Sequence, residues 1–315
     1  MPGLLDRRLI FVTGKGGVGK STVATALGVL AARHGLRTIV AELASQAGIR
    51  DTYDHDGEPF DEVRLSERLF HISVDPQLAM EEYLRVKTGS VGQALGSSRL
   101  FQTFAMATPG MRELLSIGKV WELAQLERRT EGADTYDLVI VDSPAAGHGV
   151  GILRTPRTFA EIARVGPIAH QGRTIAATIA DPAFTAVVAV TTAEEMPVNE
   201  TLWLADALAQ DGLELEAVFA NALYPHRFAP SELKRLRTAR EARRGEAGPA
   251  AAALAAALSE QARAEGQQEQ LSRLTAGLAR TPVPLPYLFA EAVGPAELDV
   301  LADALAGTVA APQRA

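Results

Sequence analysis

The chain has 315 residues, 47% hydrophobic and 22% charged, the balance of a globular core. Its 31 basic and 38 acidic side chains leave a formal charge of −7, which argues against a dedicated nucleic-acid binder. The absence of cysteine excludes disulfides, iron–sulfur clusters, thiolate zinc and thiol catalysis, and no apolar run approaches the roughly 20 residues that span a bilayer. Residues 1–6 lack the basic-then-apolar order of a signal peptide, so the cytoplasm is the expected compartment. In chain order, the short β-branched run 9–13 reads as a buried strand ending in glycines. A helical pattern runs from Lys20 to about His34 and is closed by Gly35. Further strands are predicted at 37–41, 69–74, 138–141 with Asp142 at its end, 185–190 and 215–219, and a weak one at 283–285. Helical patterns lie between them, the signature of an α/β fold with a doubly wound, mainly parallel sheet.

The spacing of these strands is uneven. The stretches at about 76–137 and 148–180 are longer than one crossover helix needs, so they read as one helical subdomain inserted in a single domain spanning 1–315. A last helical stretch covers about 230–279. Its basic run from Leu233 to Arg244 reads as a solvated helix face, and residues 307–315 read as a frayed end. Trp121 and Trp203 are expected in the core. The six histidines, His34, His55, His71, His148, His170 and His226, show no paired ligand spacing.

The run Gly14-Lys15-Gly16-Gly17-Val18-Gly19-Lys20-Ser21-Thr22 matches G-x-x-x-x-G-K-[ST] between a strand and a helix. Glycines let backbone N–H groups converge on phosphate oxygens, and the helix beginning at Lys20 aims its positive end at the same charge. Lys20 is placed to reach the β- and γ-phosphates of ATP, and Ser21 to ligate Mg²⁺. Asp142, after four apolar strand residues, sits where a carboxylate helps hold Mg²⁺, and the segment 143–148, ending in His148, reads as a loop near the γ-phosphate. Two of the chain's five lysines lie in the nine-residue loop. Lys15 resembles the signature lysine of the deviant P-loop subclass. That resemblance implies a nucleotide-sandwich dimer in which the extra lysine crosses to the partner's phosphates, much as an arginine finger does.

Several ordered matches extend the resemblance. They are Val74-Asp75-Pro76 with Glu82-Tyr83-Leu84, Pro109-Gly110-Met111-Arg112-Glu113, Asp142 to His148 as a D-x-x-P-x-G-H switch with its proline displaced, Asp181 to Thr185 with Glu200-Thr201, Asn221, Leu285-Pro286-Tyr287 and Glu291 to Gly294. In this order they resemble the anion-transporting ATPases, the arsenite-pump and tail-anchored-protein-targeting type. The chain is most similar to the cysteine-free subunits of that type in high-GC bacteria. The resemblance implies that Asn221 reads adenine and that Pro286 and Tyr287 flank the base. The arsenite pumps' metalloid thiolates and the targeting factors' zinc cysteines are absent here. Only Met80, Met106 and Met111 fall in the helical subdomain, so its apolar residues read as packed core rather than as a methionine-rich groove.

The family's first switch carries an aspartate that orients the attacking water. In Ala41-Glu42-Leu43-Ala44-Ser45-Gln46, counting back from Asp51 places Ala44 at that position. Alanine cannot hold water, so slow turnover is expected unless Glu42 substitutes. The functional expectation is an ATP-hydrolysing dimer, homodimeric or paired with a related ATPase subunit, that handles an unknown client. The alternatives are a non-hydrolysing, nucleotide-gated subunit of a heterodimer and a MinD- or ParA-like positioning ATPase. The MinD and ParA types lack support in the sequence: residues 302–315 hold one base, Arg314, where a MinD-like protein needs a basic amphipathic helix, and the net charge opposes DNA.

Overall fold

A computed structural model of the chain describes residues 3–43, 48–55, 57–96, 108–130, 132–163 and 167–313. Among the described residues eight strands form one sheet: β1 (Leu9–Thr13), β2 (Thr38–Glu42), β3 (Val63–Arg64), β4 (Leu69–Ser73), β5 (Leu138–Asp142), β6 (Thr185–Thr192), β7 (Leu215–Leu223) and β8 (Val283–Pro286). Their order is β3-β4-β2-β5-β1-β6-β7-β8, parallel throughout except for β3 on β4. The helices are α1 (Lys20–Arg33), α2 (Gly48–Tyr53), α3 (Pro76–Gly96), α4 (Met111–Leu123), α5 (Ala146–Ala163), α6 (Pro167–Ala180), α7 (Glu195–Gln210), α8 (Pro230–Ala242), α9 (Pro249–Leu278) and α10 (Pro295–Ala306). The expected α/β class and parallel sheet are what the chain adopts. The strand absent from the sequence reading, β3, is two residues of antiparallel edge, too short to carry a period.

Alternation along β1 explains the two layers of helices. Ile10 and Val12 face one core with α1 and with Leu298 and Leu301 of α10. Leu9 and Phe11 face the other, with Val120 of α4, Val150 of α5, Ile175 of α6 and Leu204 of α7. Side chains buried this fully contribute about 1.5–3 kcal/mol each, which is why a five-residue strand with no polar face is stable only inside two layers.

Three expectations are corrected. Trp203 lies on the outer side of α7 and is 53% exposed, because the core face of that helix is filled by Val198, Thr201, Leu204 and Leu208. The segment after α10 is not frayed throughout: Val309 joins the first core, and the Gln313 backbone N–H donates to Asp6 Oδ1 at 2.6 Å. The apolar residues of α3 and α4 do not all enter the core. A groove of about 190 Å³ opens between these helices, lined by Met80, Tyr83, Met111, Leu114 and Leu115, with Lys119 and Glu82 at its wall. Met106 lies outside the described residues.

Beneath that groove is a buried ionic network. Lys119 Nζ lies 2.8 and 2.9 Å from the two oxygens of Glu82 and 3.4 Å from Glu122. Arg128 bonds Glu122 twice, at 2.9 Å each, and Glu62 at 2.7 and 2.9 Å. Tyr136 also donates to Glu62, at 2.7 Å. Burial alone would raise the pKa of Glu62, but the hydrogen bonds from Arg128 and Tyr136 overcome it and hold the carboxyl below its ordinary value.

Candidate nucleotide site

The loop 14–19 leaves β1 at the carboxyl edge of the sheet, where connections run to both sides of that strand. Such a switch point is where open α/β sheets bind ligands. Gly14 has φ 142°, and a Cβ there would lie 2.1 Å from the Val190 carbonyl oxygen of β6. Gly19, the N-cap of α1, has φ 88°. Only glycine allows this path without strain. Among the described residues, the N–H groups of Gly16 to Gly19 donate to no other backbone carbonyl. Open donors at the positive end of a 14-residue helix form an anion cradle.

Lys20 Nζ donates to the Lys15 carbonyl at 3.0 Å, back across the loop that it follows. Burial lowers its pKa, and Asp142 and Glu200 act against that shift. A half-buried ammonium at a ring of N–H donors is matched to polyanionic phosphate. Ser21 Oγ donates to Asp142 Oδ2 at 2.5 Å. Asp142 is buried at the end of β5, and burial raises its pKa to about 6, with a further push from Glu42. Glu42 is fully buried at the end of β2 and in register with Asp142. The Asp142 carboxylate and the Ser21 hydroxyl side by side are oxygen donors that suit Mg²⁺.

The remaining residues are brought to the same edge. Lys15 does not point into solvent alone: its Nζ is 2.8 Å from Glu200 Oε2 on α7. Asn221 on β7 donates through Nδ2 to the Val18 carbonyl at 2.9 Å, so this residue touches the loop 14–19 itself. Its Oδ1 can accept and its second N–H can donate, the pairing groups a base edge would need. Pro286 ends β8 opposite Leu223, and Tyr287 follows, its backbone N–H bonded to the Leu223 carbonyl at 2.9 Å. The Tyr287 ring stacks on Tyr224 at 4.5 Å between centroids. Gln267 of α9 fixes this corner by accepting from the Tyr224 backbone N–H at 2.8 Å and donating to the Ala222 carbonyl at 2.9 Å. Thr22 lies in the first turn of α1. Ala44 lies outside the described residues, as does the side chain of His148.

Two contacts had no sequence signal. Glu200 belongs to a matched segment but was not read as a partner of Lys15. The pair His55 and His71 shows no ligand spacing along the chain, yet the two rings are 3.2 Å apart nitrogen to nitrogen. Among the described residues no group of three or more His, Asp or Glu side chains is arranged as a metal site.

The family model for anion-transporting ATPases matches residues 7–168 and 162–245. This chain belongs to the anion-transporting ATPase family. Its relatives within that family include ATPase BagA of Mycobacterium tuberculosis, 29% identical over 236 residues, which covers 72% of this chain and 68% of that protein. ATPase get3 of Botryotinia fuckeliana is 26% identical over 166 residues, or 52% of this chain and 47% of its own. ATPase ASNA1 homolog 1 of Paramecium tetraurelia is 26% identical over 148 residues, or 47% and 43%. Like its relatives by name, this family member is an ATPase by descent. No helix among the described residues is long and apolar enough to cross a membrane.

Proposed function

We propose that the chain binds ATP and Mg²⁺ at residues 14–22, hydrolyses the β–γ phosphoanhydride, and couples nucleotide state to closure of a cytoplasmic dimer that handles a client. The observation that carries this reading is the cradle of open N–H donors from Gly16 to Gly19, with Lys20 at its rim and the Ser21–Asp142 pair beside it. Mg²⁺ held by Ser21 and Asp142 would neutralise charge on the β- and γ-phosphates. Lys20 holds the same phosphates, Asn221 orients the adenine, and Pro286 and Tyr287 border it. Glu42 is the carboxylate left to position water where Ala44 offers no polar atom. Lys15 serves the opposing subunit's nucleotide, in a homodimer or with a related subunit.

Residues 76–137 and 148–180 form the inserted helical subdomain. The packing of α3 on α4, of α5 on α6, and of α4 on both α5 and α6 supports that grouping. The groove between α3 and α4 suits an apolar segment of the client. No nucleic-acid partner is expected from the charge balance.

The second reading is a subunit that binds ATP without turning it over. It is favoured by Ala44 at the position of the switch aspartate. Phosphate release by the purified chain, its Glu42→Gln and its Ala44→Asp variants separates the two. Slow release that Glu42→Gln abolishes and Ala44→Asp accelerates supports hydrolysis through Glu42. No release from the parent, with ATP still bound, supports the gated subunit. ATP affinity unchanged by Lys20→Ala overturns the site itself.

A further inference from the structure

We infer that His71 is a positioning residue for Glu42, and that a backbone N–H at Gly57 fixes the whole relay from outside the site. This rests on the hydrolytic reading above only for what the relay serves. Its geometry stands apart from that reading.

Four groups lie in a row. The Gly57 N–H lies 3.3 Å from His55 Nδ1. His55 Nε2 lies 3.2 Å from His71 Nδ1. His71 Nε2 lies 3.3 Å from Glu42 Oε2. A neutral imidazole has one N–H and one acceptor nitrogen, so each contact determines the next. A backbone amide only donates. His55 therefore accepts at Nδ1 and carries its proton on Nε2. That proton faces His71 Nδ1, which leaves the His71 proton on Nε2, facing the Glu42 carboxylate. The direction of the row is set at its far end by a group that cannot reverse.

Burial supports the neutral state this logic needs. The side chain of His71 is 2% exposed, and burial, helped by Arg50, lowers its pKa to about 4. The pairing is also anchored in the sheet, since Glu42 and His71 lie on adjacent parallel strands, with Ala41 opposite Ile72 and Val40 opposite His71. Gly57 cannot easily change residue: a Cβ there would lie 2.3 Å from Val63 Cγ2 on β3. The edge strand thus packs close against the residue that supplies the first donor.

The consequence is chemical. A buried carboxylate with a fixed N–H donor on Oε2 is held in one orientation. Its other oxygen is then presented in a defined direction beside Asp142. A group that must hold a water molecule benefits from that fixed aim.

The experiment has two arms. In the first, ¹⁵N NMR of the histidine-labelled chain reads the tautomers of His55 and His71, assigned with His55→Asn and His71→Gln. Protons on Nε2 of both rings are expected. A proton on Nδ1 of His71 overturns the relay. In the second, phosphate release is compared for parent, His71→Phe and His71→Gln. His71→Phe should lower kcat about tenfold or more with KM for ATP within about twofold, as loss of an outer-shell partner does. His71→Gln, whose amide returns an N–H near the Nε2 position, should recover most of the rate. Equal kcat for parent and His71→Phe, or a fall in which KM and thermal midpoint change together and His71→Gln does not recover, overturns the positioning role. A parent with both protons on Nε2 and no phosphate release overturns the hydrolytic reading and supports the relay as geometry.

Discussion

Lys15 and Glu200 form an ion pair within one chain, Nζ to Oε2 at 2.8 Å. If the lysine serves a second subunit's nucleotide, that pair must open when the dimer closes. Half-exposed pairs of this kind are worth about 0.2–1 kcal/mol. Glu200→Gln should therefore tighten the ATP-bound dimer by about two- to fivefold, while Lys15→Ala removes the ATP-dependent association. Sedimentation with ATP, with ADP and without nucleotide checks both, and identical masses throughout would count against a transferred lysine.

Asn221 makes one contact in this geometry, on the loop, and the proposed function gives it a second, toward the base. Its Nδ2 bond to the Val18 carbonyl is worth about 0.5–1.5 kcal/mol on the usual scale for neutral hydrogen bonds. Asn221→Ala should weaken ATP binding by about tenfold and also narrow the preference for ATP over GTP. Titration calorimetry with both nucleotides separates these effects. A weaker affinity with an unchanged ratio would leave only the loop contact.

What was legible in the sequence was local. The loop 14–22 is one contiguous run, and the strand that precedes it and the helix that follows are set by the same few residues. The parallel sheet was legible because fully buried strands read as continuous apolar runs bounded by helices. The contacts that were not legible join residues far apart. Lys15 meets Glu200 across 185 positions, and Lys119 meets Glu82 across 37. The row from Gly57 to Glu42 exists only because β2 and β4 are neighbours in the sheet, which no spacing along the chain reveals. Trp203 was misplaced because a tryptophan on an amphipathic helix gives no sign of which side the core fills first.

The network under the groove makes a stability expectation. Lys119 is 3% exposed and faces Glu82 and Glu122, and Arg128 alone cannot neutralise three carboxylates with Glu62. Removing one partner of a buried ion pair costs about 3–5 kcal/mol, because the other charge stays buried. Lys119→Ala should destabilise by that amount in urea unfolding. Lys119→Met with Glu82→Leu should recover most of it, since the desolvated charge leaves with its partner. If the single variant loses under about 1 kcal/mol, water reaches the network through the groove.

Asp142 and His71 oppose each other in acid. Asp142 has an ordinary pKa of 3.8 and a folded value of about 6. Between those values the folded chain binds the additional proton, so this group's contribution to stability falls as pH rises from about 4 to 6. His71 has an ordinary value of 6.5 and a folded value of about 4. There the unfolded chain binds the additional proton, so this contribution rises with pH across the window from about 4 to 6.5 and is lost on acidification. Each shift of some two units corresponds to about 3 kcal/mol, of opposite sign. In the parent the two slopes nearly cancel between about pH 4 and 6. Asp142→Asn removes the first, so its stability should fall more steeply than the parent's as pH drops from 6 to 4. His71→Gln removes the second, so its stability relative to the parent should climb over the same range. Urea unfolding at half-unit intervals from pH 4 to 7 supplies the two difference curves, in which carboxylates common to all three proteins, Glu62 included, cancel. Difference curves of the same sign would mean that one of the two side chains is not buried in the protonation state assigned to it here.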